Sequence, residues 1–471
     1  MSLARRGFES LTEEVHIERL PVEGAIPDWL SGALLRNGPA LFEVGPDRYN
    51  HWFDGLAMLH RFGFAGGAVS YANKFLRSKG YTQARSRGRI SLSEFATDPC
   101  RSIFKHWMTM FLGGAEFSNN ANVNIARLAD RFVAMTETPL AIEFDPETLA
   151  TVGVYRYAGA VRGQMTTAHP HHDWASGETI NYVTCFGRAC AYQIYRIGAD
   201  GRTRELIASL PVADPAYMHS FAITEHYVVL AEFPLVARPL DLLLKNRTFA
   251  ENLRWEPARG TTFRVVRRDT GAEAATLRAE PCFAFHHVNA FEQDGEIVLD
   301  LVAYPDAEII DRLYLRSLRG AGPGYRTGTL TRFWLPLDGG AVRSAALAAD
   351  GCELPRINYR RSNMRDYRYV YGLGSRPERP DQHPERLTKI DLSSGAARIW
   401  SAPGCYPGEP VFVAAPGAAA EDDGVALAVV FDGERGASFL LVLDAATWTE
   451  LGRALVPHHI PFGFHGAYFG A

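Results

Sequence analysis

Cysteine is scarce in this 471-residue chain. There are six, at positions 100, 185, 190, 282, 352 and 405, with no Cys-x-x-Cys pair. That is far from the density of a disulfide scaffold, so reduced, partly buried thiols in a cytosolic protein are expected. A basic excess is missing too: 49 Lys and Arg against 53 Asp and Glu leave a net charge of −4. Without a positive surplus to neutralise phosphates, nucleic acid is not an expected partner. No stretch reaches the roughly 18 apolar residues of a membrane-spanning helix. The opening run from Met1 to Ser10 lacks the apolar segment of a signal peptide. The expectation is a chain that is soluble or at most rests on a membrane face. Disorder is excluded as the main state, because 47% hydrophobic residues can bury enough surface to offset ordering entropy.

What is present is a succession of short β runs. They include 131–137, 179–185, 227–232, 296–302, 425–431 and 438–444, rich in β-branched or aromatic types and bounded by turn residues. Asp-Gly recurs at 200–201, 294–295, 338–339, 350–351, 423–424 and 432–433, a strong hairpin signal. A length prior of about 150 residues per domain suggests about three domains. No linker divides the chain, however, so one all-β domain over 1–471 is expected. Radial repetition hides strand edges at this size, which favours a β-propeller.

Two segments break the pattern. In 101–112 the apolar positions 103, 104, 107, 108 and 111 share one helical face. In 239–247, Arg238 and Lys245 flank a leucine cluster. Either is an ordinary packed amphipathic helix, or an apolar, basic-edged patch for a membrane surface.

Fifteen histidines occur. His16, His51, His60, His106, His226 and His383 have ordinary neighbours. His169, His219, His286 and His465 lie among apolar or aromatic residues, where an unpaired imidazole is costly. Neutral imidazole ligates Zn, Cu, Fe and Ni. Separations of 50, 67 and 179 residues form no local metal motif, but they suit ligands converging from different sheets.

The segments Gly32-Ala-Leu-Leu-Arg-Asn-Gly-Pro39, His51-Trp-Phe-Asp-Gly55, Ser93-Glu-Phe95, Thr136-Glu-Thr138, Asp145-Pro-Glu-Thr-Leu149, Pro355-Arg-Ile-Asn-Tyr359 and Gly408-Glu-Pro-Val-Phe412 stand in order with the four histidine segments. Together they resemble the carotenoid cleavage oxygenases, nearly end to end, and more narrowly the branch of the animal β-carotene oxygenases and the retinal-pigment-epithelium retinoid isomerase. The resemblance implies a seven-bladed β-propeller with a helical or loop cap over its top face. Cap and membrane-facing segments would be inserted near 95–120 and 233–256. It implies one Fe(II) per chain, held by His169, His219, His286 and His465, with O2 as co-substrate. Glu137, Glu353 and Glu409 would orient three of the ligands, leaving His169 without a glutamate. His171 and His172 are expected to be structural, and His458 and His459 not to be ligands. Phe53, Phe95, Trp107, Met110 and Phe111 are candidates for the substrate tunnel. Cys100 matches a position lipidated in the animal isomerase, a property not carried over.

The resemblance further implies O2-dependent cleavage of a polyene C=C bond into two carbonyl products, with β-carotene 15,15′ cleavage to retinal as the leading reaction. Eccentric or apocarotenoid cleavage, retinoid isomerohydrolysis and stilbene cleavage are the alternative enzymes. A non-catalytic protein-binding propeller is the alternative outside catalysis. An apolar carotenoid or apocarotenoid, a peripheral membrane surface and a cytoplasmic location are the expected partners and place, with no obligatory protein partner.

Overall fold

The computed structural model describes residues 3–98, 118–244, 247–320, 324–376 and 378–470. The chain is mostly β, and the strands within each sheet run antiparallel. The first sheet carries Ala68–Phe75, Leu56–Ala65 and Gly32–Leu41 side by side, edged by His16–Ile17 and by the C-terminal strand Gly466–Gly470. Further sheets are built on Asn124–Leu128, on Thr179–Cys185 and on Tyr227–Glu232. A seven-stranded sheet then runs from His287–Gln293 to Ala396–Trp400, and a last one is built on Gly424–Asp432. The chain ends interlace with these sheets: Val22–Gly24 pairs with Glu450–Leu455, and Gly466–Gly470 pairs with Gly32–Leu41.

Apolar alternation on the strands buries one sheet against the next. Leu34 and Phe62 of the first sheet pack with Leu427 and Leu440 of the last. Ala134 and Ile142 reach the other side of the first. Tyr182 and Ile194 meet Val228 and Leu230, and Phe263 meets Phe333 with ring centres 5.2 Å apart. Each such fully buried side chain contributes about 1.5–3 kcal/mol. The sheets therefore follow one another around a common centre.

Strands 179–185 and 227–232 have the expected bounds. Asp294-Gly295 is a two-residue turn with both φ angles positive, +50° and +81°, as a twisted hairpin requires. Asp350-Gly351 is a correction. It lies inside the long strand Arg343–Arg356, at a register shift against Gly328–Pro336, and is not a hairpin turn.

Of the two helical expectations, 101–112 lies outside the described residues, as does Cys100. The second segment forms helix Pro239–Leu244, between the paired strands Leu235–Ala237 and Leu253–Trp255. Leu240 on it is 69% exposed. No helix among the described residues is long and apolar enough to cross a membrane.

Candidate metal centre

Each of the four histidines stands just ahead of a strand that lines the centre. His286 immediately precedes His287–Gln293, and His465 immediately precedes Gly466–Gly470. His219 comes three residues before Ala222–Ile223, and His169 two before His171–His172. Polar side chains tie these turns together. Thr167 Oγ1 donates to the His219 carbonyl and accepts the His169 N–H at 3.0 Å. Ser220 Oγ donates to the Phe285 carbonyl at 2.6 Å. The His465 carbonyl accepts the Asn37 N–H at 2.9 Å. Gly38 lets these segments cross: a Cβ there would come within 2.5 Å of Gly463 Cα.

The structure brings the four histidines together, each offering one nitrogen, with these atoms all within 4.8 Å of one another. Three bond a buried or half-buried glutamate. His219 Nδ1 is 2.7 Å from Glu137 Oε1, His286 Nδ1 is 2.6 Å from Glu353 Oε2, and His465 Nδ1 is 2.7 Å from Glu409 Oε1. A carboxylate only accepts, so each Nδ1 carries the proton and each Nε2 presents a lone pair. No carboxylate bonds His169 among the described residues.

The glutamates are themselves held. Tyr217 donates to Glu137 at 2.9 Å, and Tyr304 to Glu353 at 2.7 Å. Arg36 pairs with Glu409, and Arg356 lies 3.7 Å from it. Burial pushes the Glu409 carboxyl up, but Arg356 and Arg36 outweigh it, leaving the group far below the usual carboxylate range. Burial lowers His465 to about 4 against the pull of Glu409. His169 is pushed well below its ordinary value by burial and by its histidine neighbours.

These atoms fit a metal ion. The Nε2 atoms of His286 and His465 lie 3.2 Å apart. With both protons on Nδ1, two lone pairs face each other, a repulsive contact unless a cation sits between them. His169 and His219 Nε2 are 3.0 Å apart. Two nitrogens bound at about 2.1 Å to one ion, a right angle apart, lie about 3 Å from each other. An all-imidazole donor set suits a first-row transition metal.

Beside the histidines opens a largely apolar cavity. Phe53 lines it, with ring centres 5.4 Å from Phe95, 5.4 Å from Phe464 and 5.9 Å from Phe285. Phe285 in turn packs 5.5 Å from His219. Both described tunnel candidates, Phe53 and Phe95, line this cavity. Trp107, Met110 and Phe111 lie outside the described residues. His171 has both ring nitrogens engaged, with Tyr359 at 2.9 Å and the Phe221 carbonyl at 2.8 Å. His172 bonds Thr179. His458 and His459 bond backbone carbonyls away from the cluster.

Sequence reasoning missed Arg36, Tyr217, Tyr304, Phe285 and Phe464. The two phenylalanines directly precede ligand candidates, a signal that was available. His51 is also more than an ordinary histidine: it is fully buried and packs against Phe53 and Phe95.

The structure is thus a β protein whose sheets surround a four-histidine cluster able to hold a metal ion, with an apolar cavity beside it. Residues 8–470 match the family model described as retinal pigment epithelial membrane protein. The chain is 35% identical to the mitochondrial carotenoid-cleaving dioxygenase of Mustela putorius furo, covering 98% of this chain and 95% of that one. It is 33% identical to the β,β-carotene 15,15′-dioxygenase of Gallus gallus, over 99% and 98%. Cobalt-substituted Synechocystis apocarotenoid oxygenase superposes with a TM-score of 0.88 at 29% identity, over 100% of this chain and 99% of that one. The chain belongs to the carotenoid cleavage oxygenase family. It is an oxygenase enzyme.

Proposed function

We propose that this chain is a non-haem Fe(II) dioxygenase that adds both atoms of O2 across one C=C bond of a polyene and releases two carbonyl products. Central cleavage of β-carotene to retinal is the first reaction to test. The observation that carries the reading is the facing pair of Nε2 lone pairs on His286 and His465, opening on an apolar cavity. His169, His219, His286 and His465 would hold one iron. Four neutral imidazoles would leave the ion its full charge, and the ion would supply the chemistry with O2 beside an electron-rich alkene.

The residues of the chain do the rest. Glu137, Glu353 and Glu409 keep the protons on Nδ1 and the ring planes fixed. Phe53, Phe285 and Phe464 form apolar walls that exclude water and hold a flat polyene beside the histidines. No side-chain acid or base is required, because the atoms of C=C and O2 balance those of two C=O groups.

The finer architecture belongs to the same proposal: a single domain over 1–471, built as a seven-bladed propeller with a cap. The strand Arg343–Arg356 supports it. Its first part pairs with Gly328–Pro336 and its last residues with Tyr369–Gly374, so it divides the seven-stranded sheet into two blades. The exposed Leu240 on helix Pro239–Leu244 supports peripheral contact with a membrane, from which an insoluble polyene would be drawn.

The test is anaerobic reconstitution with Fe(II), then β-carotene in micelles under air, with products read by chromatography and mass. Retinal as the sole aldehyde supports central cleavage. Two unequal aldehydes keep the dioxygenase and move the cleaved bond. A folded sample that binds no iron and cleaves nothing overturns the reading.

A further inference from the structure

Among the described residues, three carboxyl groups line the cavity. Glu137 and Glu353 bond histidines, and Glu94 does not. Ser118 Oγ donates to Glu94 Oε1 at 2.5 Å and accepts the Asn120 N–H at 3.1 Å, so its hydroxyl direction is fixed. The Glu94 backbone N–H reaches the Thr97 carbonyl at 2.8 Å. Oε2 has no hydrogen-bond partner among the described residues. Next to it on the wall stands Phe95, with Phe53 packed on that ring.

A carboxylate with one hydrogen bond in such a place is costly. Burial, reinforced by the nearby Asp54, holds the Glu94 carboxyl well above the usual range and favours the neutral acid. A neutral carboxylic acid both donates and accepts. With Oε1 braced by Ser118, the other oxygen, unpartnered among the described residues, can meet a ligand hydroxyl or carbonyl. A pure hydrocarbon lying against that oxygen would strip its water and leave it unmatched, which discriminates against such a ligand.

We infer that Glu94, braced by Ser118, binds the oxygenated end group, a hydroxyl or carbonyl oxygen, of a carotenoid or apocarotenoid, and so fixes which double bond lies beside the histidine cluster. This rests on the polyene-cleavage reading and, within it, ranks oxygenated polyenes above the hydrocarbon β-carotene as substrates.

The test uses the full iron-loaded chain with an apocarotenal and a hydrocarbon polyene of equal conjugated length. The ratio of their kcat/KM values is the readout. Equilibrium binding of each without O2, followed by quenching of tryptophan fluorescence (Trp52 lines the cavity), gives the same ratio without turnover. The wild type is expected to favour the aldehyde. E94L is expected to cut the aldehyde-to-hydrocarbon ratio tenfold or more in both readouts, and E94Q, which keeps a donor and an acceptor, to retain most of it. Should E94L fail to fold, S118A decides: loosening the brace lowers the ratio severalfold, and an unchanged ratio overturns the inference. Loss of both substrates by one common factor in E94L also overturns it, making Glu94 a structural tie. Cleavage of both by the wild type with an unchanged ratio in E94L removes the assignment of Glu94 alone. A wild type that binds neither polyene removes the polyene reading together with it.

Discussion

His286 and His465 point their Nε2 atoms at one another across 3.2 Å, although each already has a glutamate on its Nδ1. Neither nitrogen has a proton to share, so a cation between them removes a repulsion. Metal is therefore expected to stabilise the fold. Adding Fe(II) or Co(II) to chelated protein should raise the melting temperature, by an amount equivalent to about 2.7 kcal/mol at a hundredfold excess over Kd. Scanning calorimetry under argon checks this. His286→Ala should show no such rise, and an equal rise in that variant contradicts the site.

The three glutamates are expected to be unequal. Glu409 faces two guanidinium groups, Arg36 and Arg356, whereas Glu353 faces the Tyr304 hydroxyl and the Leu354 N–H. Glu409→Gln leaves buried Arg36 without its counter-charge, a loss of about 3–5 kcal/mol. Glu353→Gln keeps an acceptor for its neutral donors and should cost about 1–2 kcal/mol. Denaturant melts of the two variants side by side test the order. The reverse order would mean that Arg36 finds compensation elsewhere.

Acid should destabilise the protein through histidines outside the cluster. Burial lowers His51 to about 4 and His60 to about 3. Between these values and about 6.5, the unfolded chain binds protons that the folded chain refuses, so stability falls as pH drops through that window. Asp54, raised by burial to about 6, works the other way between about 6 and 3.8, since its folded form takes the proton first. In the window from about 6 to 4, the two histidines outnumber it. His60→Asn should flatten the pH dependence by about 1 kcal/mol per pH unit between pH 7 and 5. Unfolding free energies of variant and wild type at pH 7, 6 and 5 measure that difference, and parallel curves contradict the assignment.

Phe53 separates Phe95 from Phe285 and Phe464. Phe53→Ala should let a polyene slide along the cavity, and small displacements of a reacting bond are costly in rate. The expected result is a loss of kcat/KM of about tenfold or more, with more than one product pair by mass. One product pair at the wild-type rate would place the substrate path elsewhere.

Much of the fold was legible before the structure. The bounds of strands 179–185 and 227–232 follow from β-branched runs closed by turn residues. Asp350-Gly351 was not legible, because its local turn preference yields to pairing with Gly328–Pro336. The four histidines were recognised through family resemblance rather than spacing, since sheet order alone brings residues 179 apart into contact. Which glutamate serves which histidine could not be read: Glu137 reaches His219 across 82 positions. Arg36 entered the site through strand register, which sets it opposite Gly466 and so beside His465. Glu94 stood in a quoted motif, but its isolation from the histidines appears only once the cavity is closed around it.

The most direct measurement is turnover of a cleaved polyene under 18O2 by the iron-reconstituted chain, with rapid mass analysis before the aldehydes exchange with water. A dioxygenase built on this four-histidine cluster gives two products, each heavier by one labelled oxygen. Cleavage with label in one product alone, or in neither while the iron stays bound, contradicts it.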